Sequence, residues 1–113
     1  MAYSWNSELP SGRNPFWIRD EALSGLGLHA GDAVSVDTRA EPRDGDLVVV
    51  EVEVDDDSQR LARRYVSAGD RIRLEPVGGQ AEPLEVEAES LIVMGVIAGR
   101  LVFEGETPRE EPL

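Results

Sequence analysis

Two side chains in this sequence have the types needed for nucleophilic catalysis. Ser24 is followed closely by His29, which is the single histidine of the chain. A histidine can accept the proton of a serine hydroxyl while that hydroxyl attacks a carbonyl carbon. The pair therefore keeps open a hydrolase in which Ser24 is the nucleophile and His29 the base. No recognisable catalytic motif surrounds Ser24.

The residue types that are missing exclude other chemistries. Cysteine and lysine are both absent, and all 11 cationic residues are arginine. Thiolate nucleophiles, Cys-based zinc sites, Ser-Lys dyads and lysine Schiff bases are therefore excluded, and one histidine cannot build a multi-His metal site. The acidic run Asp55-Asp56-Asp57 lacks the spaced ligands and glycine bend of a calcium loop, so we interpret it as a solvated turn. We expect no metal and no cofactor.

Size and charge limit the partners. A chain of 113 residues suits one domain. Its net charge of −12 argues against direct nucleic-acid binding, because phosphates would be repelled. No apolar run is long enough for a bilayer span and the first residues lack signal-peptide features, so we expect a cytoplasmic protein with no membrane contact.

The elements that must position these residues are mostly strands. Valine-rich alternating segments are separated by Gly- and Pro-containing turns, which favours a compact β domain over a helical bundle. Between residues 20 and 30, several leucines predict a short helical turn or compact loop. The predicted strands are 16–18, 33–37, 47–54, 59–66, 71–75, 84–86 and 91–103.

The segment 16–37 carries a family resemblance. It reads as a strand, the residues Asp20-Glu21-Ala22-Leu23, a loop, Gly31-Asp32 and a second strand. This order resembles the LexA/UmuD-type self-cleaving serine peptidases, in which a strand is followed by Gly-Asp-Ser-Met or similar, a short loop, Gly-Asp and a strand. In that register Ala22 takes the place of the nucleophilic serine, and a methyl group cannot attack a carbonyl.

A second segment extends the resemblance. Counted back from Gly69 and Pro76, Ala62-Arg63-Arg64 take the positions of the family's Val-Lys-Arg motif. Arg63 thus stands where the family has its general-base lysine. Arginine stays protonated at accessible pH and cannot act as that base. The resemblance therefore implies a degenerate, inactive member of the signal-peptidase-like group with no catalytic residues.

The resemblance also implies a fold and its boundaries. We expect a mostly β single domain of strongly bent antiparallel sheets, of the β-clip or partly open barrel type, over residues 15–103. Residues 1–14 are predicted to form an N-terminal arm whose Trp5 packs on the domain. Residues 104–113 are predicted to be a disordered acidic tail.

At the degenerate site we predict a structural ion pair. A guanidinium buried beside the loop needs a carboxylate to offset its desolvation, and Asp20 and Glu21 are the candidates for Arg63. In the family the final strands mediate self-association. The apolar strand residues Leu91, Val93, Val96 and Ile97 therefore predict a homodimer, unless the strand is buried within the sheet.

The functional interpretation is a protein-interaction or dimerisation module that is regulatory in a stress or DNA-damage response. Its partner would be another protein, or a peptide segment in the degenerate cleft. Two alternatives stay open. One is the Ser24/His29 hydrolase, and the other is an accessory factor for a polymerase, a recombinase filament or a transcriptional repressor.

Overall fold

A computed structural model describes residues 4–113, and nearly all of its regular structure is antiparallel strand. Two single 3₁₀ turns, Ser24–Leu26 and Ala88–Ser90, interrupt the strands. No helix in this described range has the length and apolar character needed to cross a bilayer. The strands are β1 (Asn14–Trp17), β2 (Ala33–Asp37), β3 (Leu47–Val54), β4 (Asp57–Ala68), β5 (Arg71–Glu75), β6 (Leu84–Glu87), β7 (Leu91–Glu104) and β8 (Thr107–Glu111).

The strands form one eight-stranded sheet in the order β1-β2-β7-β3-β4-β5-β6, with β8 added to β7. Val96 lies opposite both Asp37 of β2 and Val48 of β3, so these strands flank β7 on opposite edges. Leu101 lies opposite both Ala33 of β2 and Glu110 of β8, so β8 shares the β3 edge. Strand β7 is therefore paired along its length on at least one edge, and on both edges at Val96, Arg100 and Leu101.

Register shifts bend this sheet. One occurs in β2 between Ser35 and Val36, and another in β3 where it pairs with β7. Gly95 of β7 lies at this point, where an added Cβ would come within 2.6 Å of Val36 Cγ1. Irregular pairing of this kind increases twist and curvature. The prediction of a mostly β fold of bent antiparallel strands is confirmed.

The core forms on both faces of β3. Val48, Val50 and Val52 are buried in one apolar cluster, whereas Val49 belongs to the other. Alternate residues of a strand point to opposite faces, so a strand that is apolar on both faces must be covered on both. Strand β3 accordingly lies inside the sheet, between β7 and β4.

The acidic tip between β3 and β4 is a tight hairpin turn. Asp55 and Asp56 have φ values of 53° and 68°, and pairing resumes at once with Val54 opposite Asp57. Two central residues with positive φ match the twist of the flanking strands. Strand β4 therefore starts two residues earlier than the sequence pattern indicated.

The expected disordered tail needs correction, because Thr107–Glu111 pair with β7 as strand β8. Gly105, with φ of 65°, turns the chain back after β7. Arg109 then forms ion pairs with Glu104 and Glu111 on the same hairpin. Composition alone suggested a solvated tail, but the long β7 offers an unpaired backbone edge, and Glu110 also pairs with Arg13 of the N-terminal arm.

The described part of the N-terminal arm packs on its own domain. The Trp5 ring meets Phe16 edge-to-face at 6.3 Å between centroids, and the Arg60 guanidinium lies 6.0 Å from the Trp5 ring centroid. Leu9 is buried against Ala33 and Leu101. The first three residues of the predicted arm lie outside the described residues.

Candidate functional site

Ala22 lies in the loop that follows β1, and it is completely buried. Its N–H donates to Asp20 Oδ1 at 3.1 Å, and its carbonyl accepts from the N–H of Val77 at 2.6 Å. Both backbone groups of the residue are therefore hydrogen-bonded, as buried polar groups require. The side chain at position 22 is therefore a methyl group enclosed by protein.

Arg63 projects from β4 toward the same loop. Its side chain is 9% exposed, and its Nη2 and Nη1 donate to the two carboxylate oxygens of Asp20 at 3.0 and 3.3 Å. Nη1 also donates to the carbonyl of Ala62 at 2.9 Å. This two-point geometry is the one in which guanidinium and carboxylate match best. The structure thus brings Asp20, Ala22 and Arg63 together in one cluster.

Glu21, the other candidate partner of Arg63, turns away from it. Its Oε1 lies 2.7 Å from His29 Nδ1, and its Oε2 accepts from the N–H of Ala30 at 2.8 Å. The hydrogen bond to His29 lowers the pKa of Glu21, and the same bond raises the pKa of His29. Both side chains are exposed. This second charge pair ties the two ends of the loop together.

The candidate hydrolase pair is not assembled. Ser24 begins the 3₁₀ turn, and its hydroxyl faces the glycines after β5: an added Cβ on Gly79 would lie 3.2 Å from Ser24 Oγ. Among the described residues, no hydrogen bond joins Ser24 to His29. The imidazole is instead oriented by Glu21 toward the solvent-exposed end of the loop.

The loop carrying Ala22 is held against the segment after β5 by direct backbone contact. The N–H of Gly25 donates to the carbonyl of Val77 at 2.7 Å. A Cβ on Gly25 would come within 2.6 Å of the Val77 oxygen, and one on Gly79 within 2.5 Å of the Glu21 oxygen. Sequence reasoning missed this contact, although the consecutive glycines 78 and 79 are a signal of close backbone approach.

The strand residues named for dimerisation lie mainly inward. Ile97 is buried in one core cluster, and the half-buried Leu91, Val93 and Val96 pack on the other. The exposed large apolar side chain in this part of β7 is Ile92, at 61%. Strand β2 pairs with β7 only from Val96 onward, so the edge opposite β3 has no partner at 91–94 within the described chain.

Comparisons with known proteins agree with this architecture. Residues 3–98 match the Peptidase S24-like family. The chain therefore belongs to the Peptidase S24-like family. It is 30% identical over 105 residues to the LexA repressor of Myxococcus xanthus, covering 87% of this chain and 46% of that protein.

Two further relatives carry the same name. The LexA repressor of Koribacter versatilis is 35% identical over 74% of this chain and 39% of that protein. The LexA repressor of an Anaeromyxobacter species is 26% identical over 73% of this chain and 35% of that protein. The chain thus spans less than half the length of each of these relatives.

Proposed function

We propose that this chain is a catalytically inert Peptidase S24-like domain that acts as a protein-interaction module. The observation that carries the proposal is the Arg63–Asp20 ion pair beside the buried methyl of Ala22. Family chemistry needs a hydroxyl at the first position and a neutral amine at the second. This chain has neither group at these positions.

The carboxylate of Asp20 adds a third departure from the family pattern. In the register of the family resemblance, Asp20 stands where the family motif begins with glycine. An anion at this point favours the charged form of any base placed at position 63. The change from glycine to aspartate and the change from lysine to arginine therefore support each other, because the new cation receives a bidentate partner.

Inertness is tested with peptide and ester substrates. The purified chain and its Ser24→Ala variant are incubated with both substrate types, and product is followed by mass spectrometry and absorbance. We expect turnover at the background rate for both proteins. Turnover by the native chain that is lost in Ser24→Ala would reject the proposal and favour a Ser24/His29 hydrolase, in which Glu21 orients the imidazole.

Self-association is part of the proposed interaction role. The unpartnered edge at 91–94 offers backbone donors and acceptors that a second copy can pair with antiparallel about a two-fold axis. Analytical ultracentrifugation over a range of concentrations measures the result. We expect a species of twice the chain mass of 12.4 kDa at high concentration. A single monomeric species throughout would remove the homodimer from the proposal.

The relatives are named as LexA repressors, which supports a proposal for the cellular role. We propose that the module serves a stress or DNA-damage response by binding a protein of that response, such as a repressor, a polymerase or a recombinase filament. Affinity capture from cells with and without DNA damage tests this role. Recovery of one such protein that depends on damage supports it, and its absence from both samples contradicts it.

A further inference from the structure

A groove of about 530 Å³ lies between the β3–β4 hairpin and the start of β7. Its apolar lining comes from Val52, Val86, Leu91 and Ile92. Val52 is buried, Val86 and Leu91 are half-buried, and Ile92 is mostly exposed. Covering an exposed isoleucine and its half-buried aliphatic neighbours with another apolar group is favourable, because apolar surface is removed from water.

The polar lining of this groove is acidic. Glu51, Glu53 and Glu89 contribute the carboxylates, and Ser58 and Ser90 contribute hydroxyls. Glu51 has a cationic partner in Arg60 at 3.6 Å. Glu53 and Glu89 are exposed and take part in no ion pair among the described residues. The groove therefore combines an apolar floor with carboxylates whose charge is not neutralised by the chain itself.

We infer that this groove docks a segment of another protein that carries arginine or lysine residues on either side of an apolar side chain. The apolar residue would cover Ile92, which shares a face of the sheet with Glu51 and Glu53. The cations would pair with Glu53 and Glu89. Opposite charge at the edge of an apolar contact speeds encounter and fixes register. The inference assigns a partner class to the proposed interaction role and rests on that role.

The same observations disfavour other occupants. A second copy would bring an identical acidic rim into the groove on a chain of net charge −12, so the proposed self-association would use the unpartnered edge of β7 opposite β3 and not this groove. Phosphates of a nucleic acid would meet the same repulsion. No group of three or more metal-ligating side chains in the described chain is arranged to hold an ion, so the carboxylates of the groove do not form a cation site.

Fluorescence anisotropy with labelled synthetic peptides tests the inference on the full chain. One peptide alternates leucine with arginine, and the other alternates leucine with glutamate. We expect binding of the arginine peptide that weakens as salt increases, because screening acts on exposed charges. We expect no binding of the glutamate peptide. Failure of the arginine peptide to bind, or equal binding of both peptides, would overturn the inference.

Variants locate the binding. Ile92→Ser should weaken the arginine peptide about tenfold by removing an apolar anchor. The double variant Glu53→Gln/Glu89→Gln should weaken it about fivefold at low salt. The matched control Glu41→Gln/Glu82→Gln removes the same charge outside the groove and should change affinity less than about twofold. Equal losses in the groove and control pairs would show attraction to overall charge and reject the groove.

The binding test and the activity test can each fail without the other failing. All three groove substitutions are at exposed positions, so thermal unfolding checks that each variant keeps its fold. The groove shares no residue with the cluster of Asp20, Ala22 and Arg63. A chain that proves to be a hydrolase can still bind the arginine peptide, and an inert chain can fail to bind it.

Discussion

The cluster around Ala22 and the groove around Ile92 use charge in opposite ways. At the first, the guanidinium of Arg63 is buried and both carboxylate oxygens of Asp20 are bonded to it. At the second, Glu53 and Glu89 face solvent without a cation, and Ile92 is 61% exposed. On the proposed function, the positions that perform chemistry in the family serve as internal structure here, and the proposed binding surface uses different residues of the sheet.

The largest loss of unfolding free energy is expected for a substitution at the glycine contact behind Ala22. This substitution tests whether the loop of Ala22 is closed while the groove is open. Gly79 and Gly31 both have positive φ, at 71° and 95°, but an added Cβ meets the Glu21 oxygen at 2.5 Å only at Gly79, while Gly31 has open space. Gly31→Ala isolates the backbone cost of about 1 kcal/mol. Gly79→Ala adds the clash, and we expect a loss of about 3 kcal/mol.

Urea unfolding measures both glycine variants. The difference between them reports how firmly the loop of Ala22 is held against the segment after β5. Equal unfolding free energies for the two variants would mean that the loops separate easily. The site would then be an open cleft, and the contrast with the exposed groove would be lost.

The second-largest loss of stability is expected when the Arg63–Asp20 ion pair is broken. Asp20→Ala leaves the buried Arg63 guanidinium without its carboxylate and the Ala22 N–H without its acceptor. Because the Asp20 side chain is itself 40% exposed, we expect a loss of about 2 kcal/mol, below that for a fully buried pair. Asp20→Asn retains an acceptor for Ala22 and removes only the charge, so it should lose less.

Denaturant titration at neutral pH and low and high salt checks the Asp20 variants. Glu21→Gln is the matched control, because Glu21 carries the same charge one residue away and does not contact Arg63. Its unfolding midpoint should stay near that of the native chain at neutral pH. A larger loss for Glu21→Gln than for Asp20→Ala would show that Asp20 is not the stabilising partner.

The smallest effect is a pH dependence of the loop itself. The pKa of His29 is raised above its usual 6.5, so its contribution is complete below that pH and fades as pH rises through the folded-state value. The pKa of Glu21 is lowered from its usual 4.5, so its contribution is complete above 4.5 and is lost on acidification. The pair should therefore hold the loop best between pH 4.5 and 6.5.

An NMR titration of the His29 imidazole measures this pair. The native chain should titrate above 6.5, and the Glu21→Gln variant should titrate closer to 6.5, because the carboxylate that favours the imidazolium is gone. An unchanged titration in the variant would mean that Glu21 and His29 do not interact in solution.

Much of the fold follows from local pattern. The alternation of Val48, Val50 and Val52 and the Gly-Asp turns placed β2, β3 and β5 at their observed bounds. The spacing of the family resemblance predicted that Ala22 and Arg63 lie close together. Composition alone could not have predicted this long-range contact. Strand β8 was missed because Pro and Glu are poor strand formers, and its pairing depends on the length of β7 rather than on its own residues.

The choice of partner at the site was less predictable. The sequence offered Asp20 and Glu21 equally, since adjacent residues in a loop have no fixed directions. In the structure, both carboxylate oxygens of Glu21 contact His29 and the N–H of Ala30, so Asp20 is the acid that pairs with Arg63. The groove was not foreseen either, because Glu53 is distant in sequence from Glu89 and Ile92, and the pairing of β3 with β7 brings them together.

Labelling with a fluorophosphonate, which modifies activated serines, tests the central claim of an inert site most directly. Intact mass spectrometry should find no adduct on the native chain. Ala22→Ser/Arg63→Lys should also stay unlabelled, because Asp20 keeps the new lysine charged. Adding Asp20→Gly removes that anion and should allow an adduct at position 22. A stoichiometric adduct on the native chain, at Ser24 or any other serine, would contradict the account.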